Sequence, residues 1–166
     1  MAAMEWTDKL ALGLGPMDDT HKEFVDHYNR LLQVTGEALL TELDAFIAHT
    51  VAHFDQENRW MEQVDFPACH KAEHDRVLAV VADVRKRMER GDEALGRQLI
   101  QELPIWFDNH VATMDAALAA YLESIGYDTA TGEIHRPPQV DACGNPVEAG
   151  ACCTPAPVSP VEGSPA

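Results

Sequence analysis

The sequence predicts an all-α protein, an up-down-up-down antiparallel four-helix bundle with an N-terminal arm and a disordered C-terminal tail. Apolar residues recur at helical spacing in four stretches, and each stretch ends at a glycine or a proline. The connections between the stretches are short, which makes consecutive helices antiparallel. We therefore expect an arm over residues 1–17, a bundle over 18–125 and a tail over 126–166.

The arm and the first two helices follow from the residues that interrupt or cap a helix. Glycines and a proline break up residues 1–17, so this segment is predicted to be an extended arm that packs on the body. Residues 18–20 offer N-cap side chains, and a first helix is expected from there to Gly36. Good helix formers then predict a second helix over 37–64, ended by Pro67.

The third and fourth helices differ in one respect, a proline inside the fourth. Apolar residues repeat between charged ones over 69–90, and Gly91 ends this third helix. The fourth is expected over 92–124, and Pro104 should kink it or split off its first turns. Seven of the ten prolines lie from residue 137 onward, where apolar periodicity is weak, so the tail is predicted to be disordered.

Composition and charge exclude several classes of function. A chain of 166 residues, 46% of them hydrophobic, suits one compact domain. The formal net charge of −16 repels a phosphate backbone and an anionic membrane surface, so nucleic acid is not an expected partner. No signal peptide is visible, and no apolar run approaches the ~18 residues of a membrane span. Three of the four cysteines lie beyond residue 142, which is no disulfide framework, so a cytoplasmic protein without membrane insertion is expected.

Side chains that bind metals fall in four clusters, one on each predicted helix. They are His21; His53 and Glu57; His70 and His74; and His110 and Asp115. Residues four apart lie about 40° apart around a helix and can reach one ion together. Any one cluster could be a pair of exposed polar residues, since an acid or histidine occurs at a given offset about one time in five by chance. Four clusters on four helices favour a metal site in the bundle.

The donor set indicates which metals fit. Seven ligands exceed the four that a structural zinc takes, and two ions sharing bridging carboxylates match the count. Five imidazoles and two carboxylates suit first-row metals such as iron, whereas magnesium and calcium prefer oxygen ligands. The Glu-x-x-His motif of ferritin-like di-iron proteins is absent.

Other polar and apolar residues near these clusters have simpler expected roles. His49, four residues before His53, is expected beside the site or in solvent, and His27 and His135 at the surface. Cys69 is predicted to be a small packed residue at a helix start. Three thiols of the tail are interpreted as incidental, with a soft metal such as copper(I) or a partner as the alternative; they are Cys143, Cys152 and Cys153.

The motifs resemble those of the hemerythrin family in its single-domain bacterial form, bacteriohemerythrin. The resemblance covers about residues 4–125, and its core is the ordered set of motifs His21, His53-Phe-Asp-Gln-Glu57, His70-Lys-Ala-Glu-His74 and His110-Val-Ala-Thr-Met-Asp115. Supporting marks are Trp6, Asp18-Asp19-Thr20-His21-Lys22, Met61, Phe66-Pro67 and Trp106. The step from His110 to Asp115 spans about 140° of an ideal helix, so the two approach from different sides or a π-bulge lies between them.

What the resemblance implies is a non-haem di-iron centre with a bridging hydroxide or oxo group. One iron would take three histidines, His70, His74 and His110. The other would take His21 and His53 and keep one open position, while Glu57 and Asp115 bridge both.

The function implied by the resemblance is reversible dioxygen binding, as a carrier, a store or a local supplier to an oxygen-using enzyme. We expect a monomer without catalytic residues. Two alternatives remain open at the level of sequence. One is a di-iron oxidase, peroxidase or nitric oxide-handling enzyme on the same scaffold. The other is an oxygen or iron sensor module.

Overall fold

The computed structural model describes residues 2–135, so the prediction of a disordered tail beyond residue 135 lies outside the described residues. The helices are α1 (Gly15–Leu31), α2 (Glu37–Gln63), α3 (Cys69–Glu89), α4 (Glu93–His110) and α5 (Ala116–Ser124), with a π-helical turn at Val111–Asp115. Because α4, the π-helical turn and α5 follow one another without a break, they form the fourth helix of the bundle. Consecutive helices pack against each other, and the predicted all-α four-helix bundle is confirmed.

The start of α1 corrects one sequence prediction. The helix begins at Gly15 with Pro16 in its first turn, where the missing N–H of a proline costs nothing. Leu14 is the N-cap residue and no side chain caps it, so the prediction that residues 18–20 cap the helix is wrong. The Asp18 carboxylate instead accepts hydrogen bonds from the backbone N–H groups of Leu12 and Gly13, at 2.7 and 3.1 Å. Asp18 therefore fastens the arm to the helix.

The arm packs on the bundle as predicted. The backbone N–H of Met4 donates to the Asn29 side chain, and the Asn29 amide donates back to the Met4 carbonyl, both at 2.9 Å. Leu10 is buried among residues of the core. The arm is thus held at both ends of its described length.

Pro104 does not split the fourth helix. The α4 helix runs from Glu93 to His110 through the proline, although a proline removes one backbone hydrogen bond. Buried residues lie on both sides of it, Ile100 and Leu103 before and Phe107 after. We infer that packing of this face against the core keeps α4 continuous through Pro104.

Two other local predictions are changed by the structure. Cys69 begins α3 as expected, but its side chain is exposed and not packed. Residues 126–135, which the sequence analysis placed in the tail, reverse the direction of the chain and form an antiparallel bridge between Tyr127 and Ile134. Gly126 starts it with a φ of 65°, and a Cβ there would collide with the His135 carbonyl oxygen.

Within residues 2–135, none of the helices combines the length and the apolar composition needed to cross a bilayer.

Candidate metal centre

The side chains predicted as ligands converge in two groups inside the bundle. In the first group, the ligand atoms of Glu57, His70, His74, His110 and Asp115 all lie within 4.8 Å of one another. In the second group, those of His21, His53 and Glu57 do so. Glu57 belongs to both groups. The seven residues proposed from sequence are therefore brought together, in the three-plus-two division of histidines that the resemblance implies.

The first carboxylate, that of Glu57, faces both groups of imidazoles with different oxygens. Its Oε1 lies 2.9 Å from His53 Nε2. Its Oε2 lies 3.5 Å from His70 Nε2 and 3.3 Å from His74 Nε2. A carboxylate placed in this way can bridge two ions.

The second carboxylate, that of Asp115, repeats the arrangement from the fourth helix. Its Oδ2 lies 3.2 Å from His21 Nε2. Its Oδ1 lies 3.1 Å from the Nε2 atoms of both His70 and His110. Both carboxylates thus lie between the same two groups of histidines.

The first group has the spacing expected of ligands around one ion. The Nε2 atoms of His70 and His74 each lie 3.2 Å from His110 Nε2. Imidazole nitrogens bound to one first-row ion at about 2.1 Å stand roughly 3 Å apart when they are adjacent. The three histidines therefore need little movement to share a metal.

Unsatisfied buried atoms support the same conclusion. His21 Nε2, Glu57 Oε2 and both carboxylate oxygens of Asp115 are buried and have no partner in hydrogen-bond geometry within residues 2–135, although other atoms of the site lie within 3.5 Å. Buried polar atoms without partners are rare in folded proteins and call for an ion or a water. Close approach without hydrogen-bond alignment is what lone pairs aimed at common ions would produce. The donor set of five imidazoles and two carboxylates fits two iron ions.

The π-helical turn brings His110 and Asp115 to the same side of the fourth helix. The backbone N–H of Ala116 donates to the carbonyl of Val111, five residues back. An ordinary helix bonds four residues back and would leave the two side chains about 140° apart. The wider turn returns Asp115 to the face that carries His110. Of the two explanations offered by the sequence, the π-bulge is correct.

Comparisons with known proteins agree with this geometry. Residues 13–122 match the family model described as the hemerythrin HHE cation binding domain. The chain belongs to the hemerythrin family. A bacteriohemerythrin from Ralstonia nicotianae is 44% identical over 130 residues, which are 77% of this chain and 95% of the relative. One from Methylococcus capsulatus is 33% identical over 123 residues, covering 69% and 93% of the two chains.

A solved structure supports the same family membership. It is described as the crystal structure of a hemerythrin carrying a single substitution, and it matches with a TM-score of 0.67 and 31% sequence identity. The match covers 72% of this chain and 97% of the other. Like other hemerythrins, this protein therefore has a bundle suited to a di-iron centre and to the family's function, oxygen binding.

The hemerythrin site forms a polar layer between two apolar clusters. The small apolar cluster consists of Met17, Trp60, Met61, Leu118, Ala119, Leu122 and Tyr127. The large apolar cluster includes Phe24, Phe54, Phe107 and Val111. Along three helices a ligand lies between residues of the two clusters: His21 on α1, Glu57 on α2 and Asp115 on the fourth helix. All seven proposed ligand side chains are buried.

Two hydrogen bonds that the sequence did not reveal orient the histidines. His21 Nδ1 lies 3.1 Å from the Leu10 carbonyl oxygen of the arm, and His74 Nδ1 lies 3.0 Å from Asn58 Oδ1. An Nδ1–H that donates to an oxygen leaves Nε2 as the free lone pair, which faces the centre here. No periodic pattern marks a backbone carbonyl or the isolated Asn58, so spacing alone could not have found them.

Aromatic rings surround the imidazoles. Phe54 stacks on His74 with ring centroids 3.9 Å apart, and Trp106 stacks on His110 at 4.8 Å. Trp106 Nε1 donates to Glu73 Oε1 at 2.9 Å. On the opposite side, Phe107 meets the His21 ring edge-on at 5.4 Å. The rings therefore restrict how the imidazoles can tilt.

Proton binding in the metal-free site follows from burial and charge. Burial alone lowers the pKa of His70, but contacts with Asp115 and Glu57 raise it to about 9. Burial raises the pKa of Glu57, as does Asp115, yet His53 and His70 outweigh them and hold that pKa below its ordinary value. The metal-free carboxylates thus stay ionised and attract protons to histidine. Metal binding must displace these protons.

Histidines outside the ligand set lie in different surroundings. His49 lies beside the site, with its ring centroid 5.9 Å from that of His53. Burial, and then the neighbouring His53, lower the pKa of His49 to about 4. His27 is half-buried against it, contrary to the surface position predicted, whereas His135 is exposed as predicted.

Proposed function

We propose that this protein binds dioxygen reversibly at a di-iron centre held by His21, His53, Glu57, His70, His74, His110 and Asp115. The observation that carries the proposal is the arrangement of the two carboxylates. Each of them contacts the group of three histidines with one oxygen and the group of two with the other. A binuclear site needs such bridging groups, and a single-ion site does not.

The unequal division of histidines supports a role in binding an external ligand. When bound, the two iron ions would supply the electrons for reversible dioxygen binding. His21 and His53 offer one imidazole fewer than the other group, so we infer that the external ligand enters on their side. Glu57 and Asp115 would serve both ions and so could not make up the difference.

The residues around this side exclude water. Phe107 lies against His21 and stacks on Phe24 with ring centroids 3.9 Å apart. His21 itself and the rings of Phe24 and Phe107 are buried. A dry wall slows the loss of a reduced oxygen species and therefore oxidation of the centre. This favours reversible binding over turnover.

We further propose a carrier, store or local supplier of oxygen and not an enzyme. The histidine-rich donor set supports this, because additional carboxylates favour higher oxidation states of iron. A cytoplasmic location, a monomeric state and an oxygen-using partner enzyme stay predictions.

The test is iron content together with the visible spectrum. The purified protein is reduced anaerobically, exposed to air and then deoxygenated. We expect two irons per chain and a colour that forms with oxygen and fades when oxygen is removed. Consumption of a substrate with release of product would instead favour the enzyme, and zinc without an oxygen-dependent spectrum would contradict the proposal.

A further inference from the structure

The two hydrogen bonds that orient histidines of the centre differ in the segment that supplies the oxygen. His74 is held by Asn58, which lies on α2 within the bundle. His21 is held by the carbonyl of Leu10, which belongs to the arm before α1. The orientation of one proposed ligand therefore depends on a segment that lies outside the helices.

The arm is fastened to the bundle at separate points. Asn29 of α1 exchanges two hydrogen bonds of 2.9 Å with the backbone of Met4. The Lys22 ammonium lies 5.3 Å from the centroid of the Trp6 ring. An open cleft of about 890 Å³ lies between the arm and α4, and Leu10 is part of its lining. An arm held at a few points beside open space can leave the bundle without unfolding a helix.

Metal binding fixes the proton that the contact between His21 and the arm needs. A neutral imidazole carries one proton, on either Nδ1 or Nε2. His21 Nε2 lies 3.2 Å from Asp115 Oδ2, so without metal the proton can also sit on Nε2, beside that carboxylate. An ion on Nε2 forces the proton to Nδ1 and makes it a stronger donor to the Leu10 carbonyl. The ion and the docked arm therefore favour the same form of His21.

We propose that docking of the arm is coupled to metal binding at His21 and His53, with Asn29 as a positioning residue that acts through the arm. Such coupling is reciprocal: the factor by which the docked arm tightens the ion is also the factor by which the ion tightens the arm. His74 in the other group takes its orientation from α2, so the ion there should be insensitive to the arm. The inference rests on the two-ion assignment of the proposed function, but not on oxygen binding.

The first test is an anaerobic titration of iron(II) into the metal-free full-length protein, with calorimetry to give the two dissociation constants. Asn29→Ala removes both hydrogen bonds to Met4 and changes no charge. It should weaken the second ion, at the group with fewer imidazoles, by about tenfold and leave the first unchanged. A general loss of stability would weaken both ions, so the difference between them identifies the positioning role.

A matched control for this titration comes from α2. Thr41→Ala also removes a side-chain hydrogen bond to a backbone carbonyl, that of Glu37, but this bond lies within one helix and does not involve the arm. Both dissociation constants of Thr41→Ala should equal those of the native chain.

The second test measures docking of the arm directly, by limited digestion with trypsin. The enzyme cuts after lysine, and the bond between Lys9 and Leu10 becomes accessible when the arm leaves, since the Leu10 side chain is buried. The rate of cutting follows the population of the open arm. Iron-loaded protein should be cut there about tenfold more slowly than metal-free protein, and Asn29→Ala faster than the native chain. Cutting after Arg90, in the exposed connection between α3 and α4, is the internal reference and should change little.

Mass spectrometry of the products identifies each cut. Equal affinity for the second ion in the native chain and in Asn29→Ala would overturn the inference, as would equal cutting after Lys9 with and without iron. A native chain that binds fewer than two irons would contradict the two-ion assignment itself, so the two failures are distinguishable.

Discussion

Glu57 joins the two groups of histidines. Its side chain is fully buried, and its two oxygens face His53 on one side and His70 and His74 on the other. Burying a carboxylate costs free energy unless the group is paired, so Glu57 lowers the stability of the protein without metal. Removing it should therefore affect metal binding more than it affects helix packing.

The first prediction concerns this residue and its neighbour. Glu57→Ala or His53→Ala should reduce iron to below about one ion per chain and lower the melting temperature of the iron-loaded protein by roughly 5 °C or more. Metal analysis and a thermal melt of the same sample check this. His135→Ala is the control and should change neither. Two irons with an unchanged melting temperature in Glu57→Ala would contradict the ligand assignment.

The second prediction concerns Glu73, which holds the indole of Trp106. Hydrogen bonds from Arg76, opposed in part by burial and aided by Trp106, lower the pKa of Glu73 to about 2. A carboxyl whose pKa is lower in the folded state stabilises the fold above its ordinary pKa, here 4.5, and this stabilisation is lost as the pH falls toward 2. Glu73→Gln should therefore cost about 1–2 kcal/mol at pH 7 and progressively less toward pH 3.

Urea unfolding of metal-free native and Glu73→Gln chains across this pH range measures the difference. Working without metal prevents release of iron at low pH from contributing. The exposed Glu133→Gln serves as the comparison and should cost nothing measurable at any pH. A Glu73→Gln deficit that is constant with pH would show that the carboxylate charge is not responsible.

Among the elements of the bundle, the fourth helix shows best which features the sequence could predict. Helical spacing located the helices and the ligand pairs at i,i+4, because both follow from the fixed rotation per residue. The step from His110 to Asp115 does not fit that rotation, and the sequence left two explanations open. Only the backbone hydrogen bond from Ala116 to Val111 decides between them.

Features that depend on tertiary contacts were beyond the sequence. The sequence suggested Asp18 as an N-cap residue. Its carboxylate instead accepts hydrogen bonds from the backbone N–H groups of Leu12 and Gly13, because the arm passes beside it. The orientation of His21 by the Leu10 carbonyl depends on the same packing of the arm. Local pattern cannot show which distant backbone group reaches a side chain.

The third prediction tests the π-helical turn. Inserting one alanine after Thr113 should rotate Asp115 by about 100° away from the other proposed ligands, because the turn already holds one residue more than an ordinary helix. Iron content should then fall below one ion per chain, and the melting temperature should fall because Leu118 and Leu122 turn out of the core. Thr113→Ala is the control, since it removes only a hydrogen bond to the Asn109 carbonyl and keeps the residue count. Full iron content in the insertion variant would show that the register set by the turn is not required.

At the scale of the whole molecule, the site divides the interior. The polar layer separates the large apolar cluster from the small one, so apolar packing alone does not hold the two halves together at that level. Ions bound there would join all four helices, because each helix supplies at least one of the seven residues. We therefore expect metal binding and folding to be strongly coupled.

The fourth prediction concerns the extent of the folded unit. A chain ended after His135 should retain two irons and the native melting temperature, because all seven proposed ligands and both apolar clusters lie before that point. A chain ended after Gly126 should melt lower, since it loses Tyr127, which is buried and donates a hydrogen bond to Gln63. Thermal melts and metal analysis of the two truncated chains measure this. Loss of iron from the longer one would extend the domain beyond residue 135.

The π-helical turn also matters to anyone who wishes to build such a site anew. Designed bundles are normally assembled from ideal helices, in which every buried position recurs on a regular heptad. An ideal helix cannot reproduce the fourth helix, because the π-helical turn places one additional residue between His110 and Asp115. Every core position after the turn is therefore shifted by one residue along the sequence. A designed scaffold for such a site should therefore include the π-helical turn from the start, because the turn is part of the binding geometry.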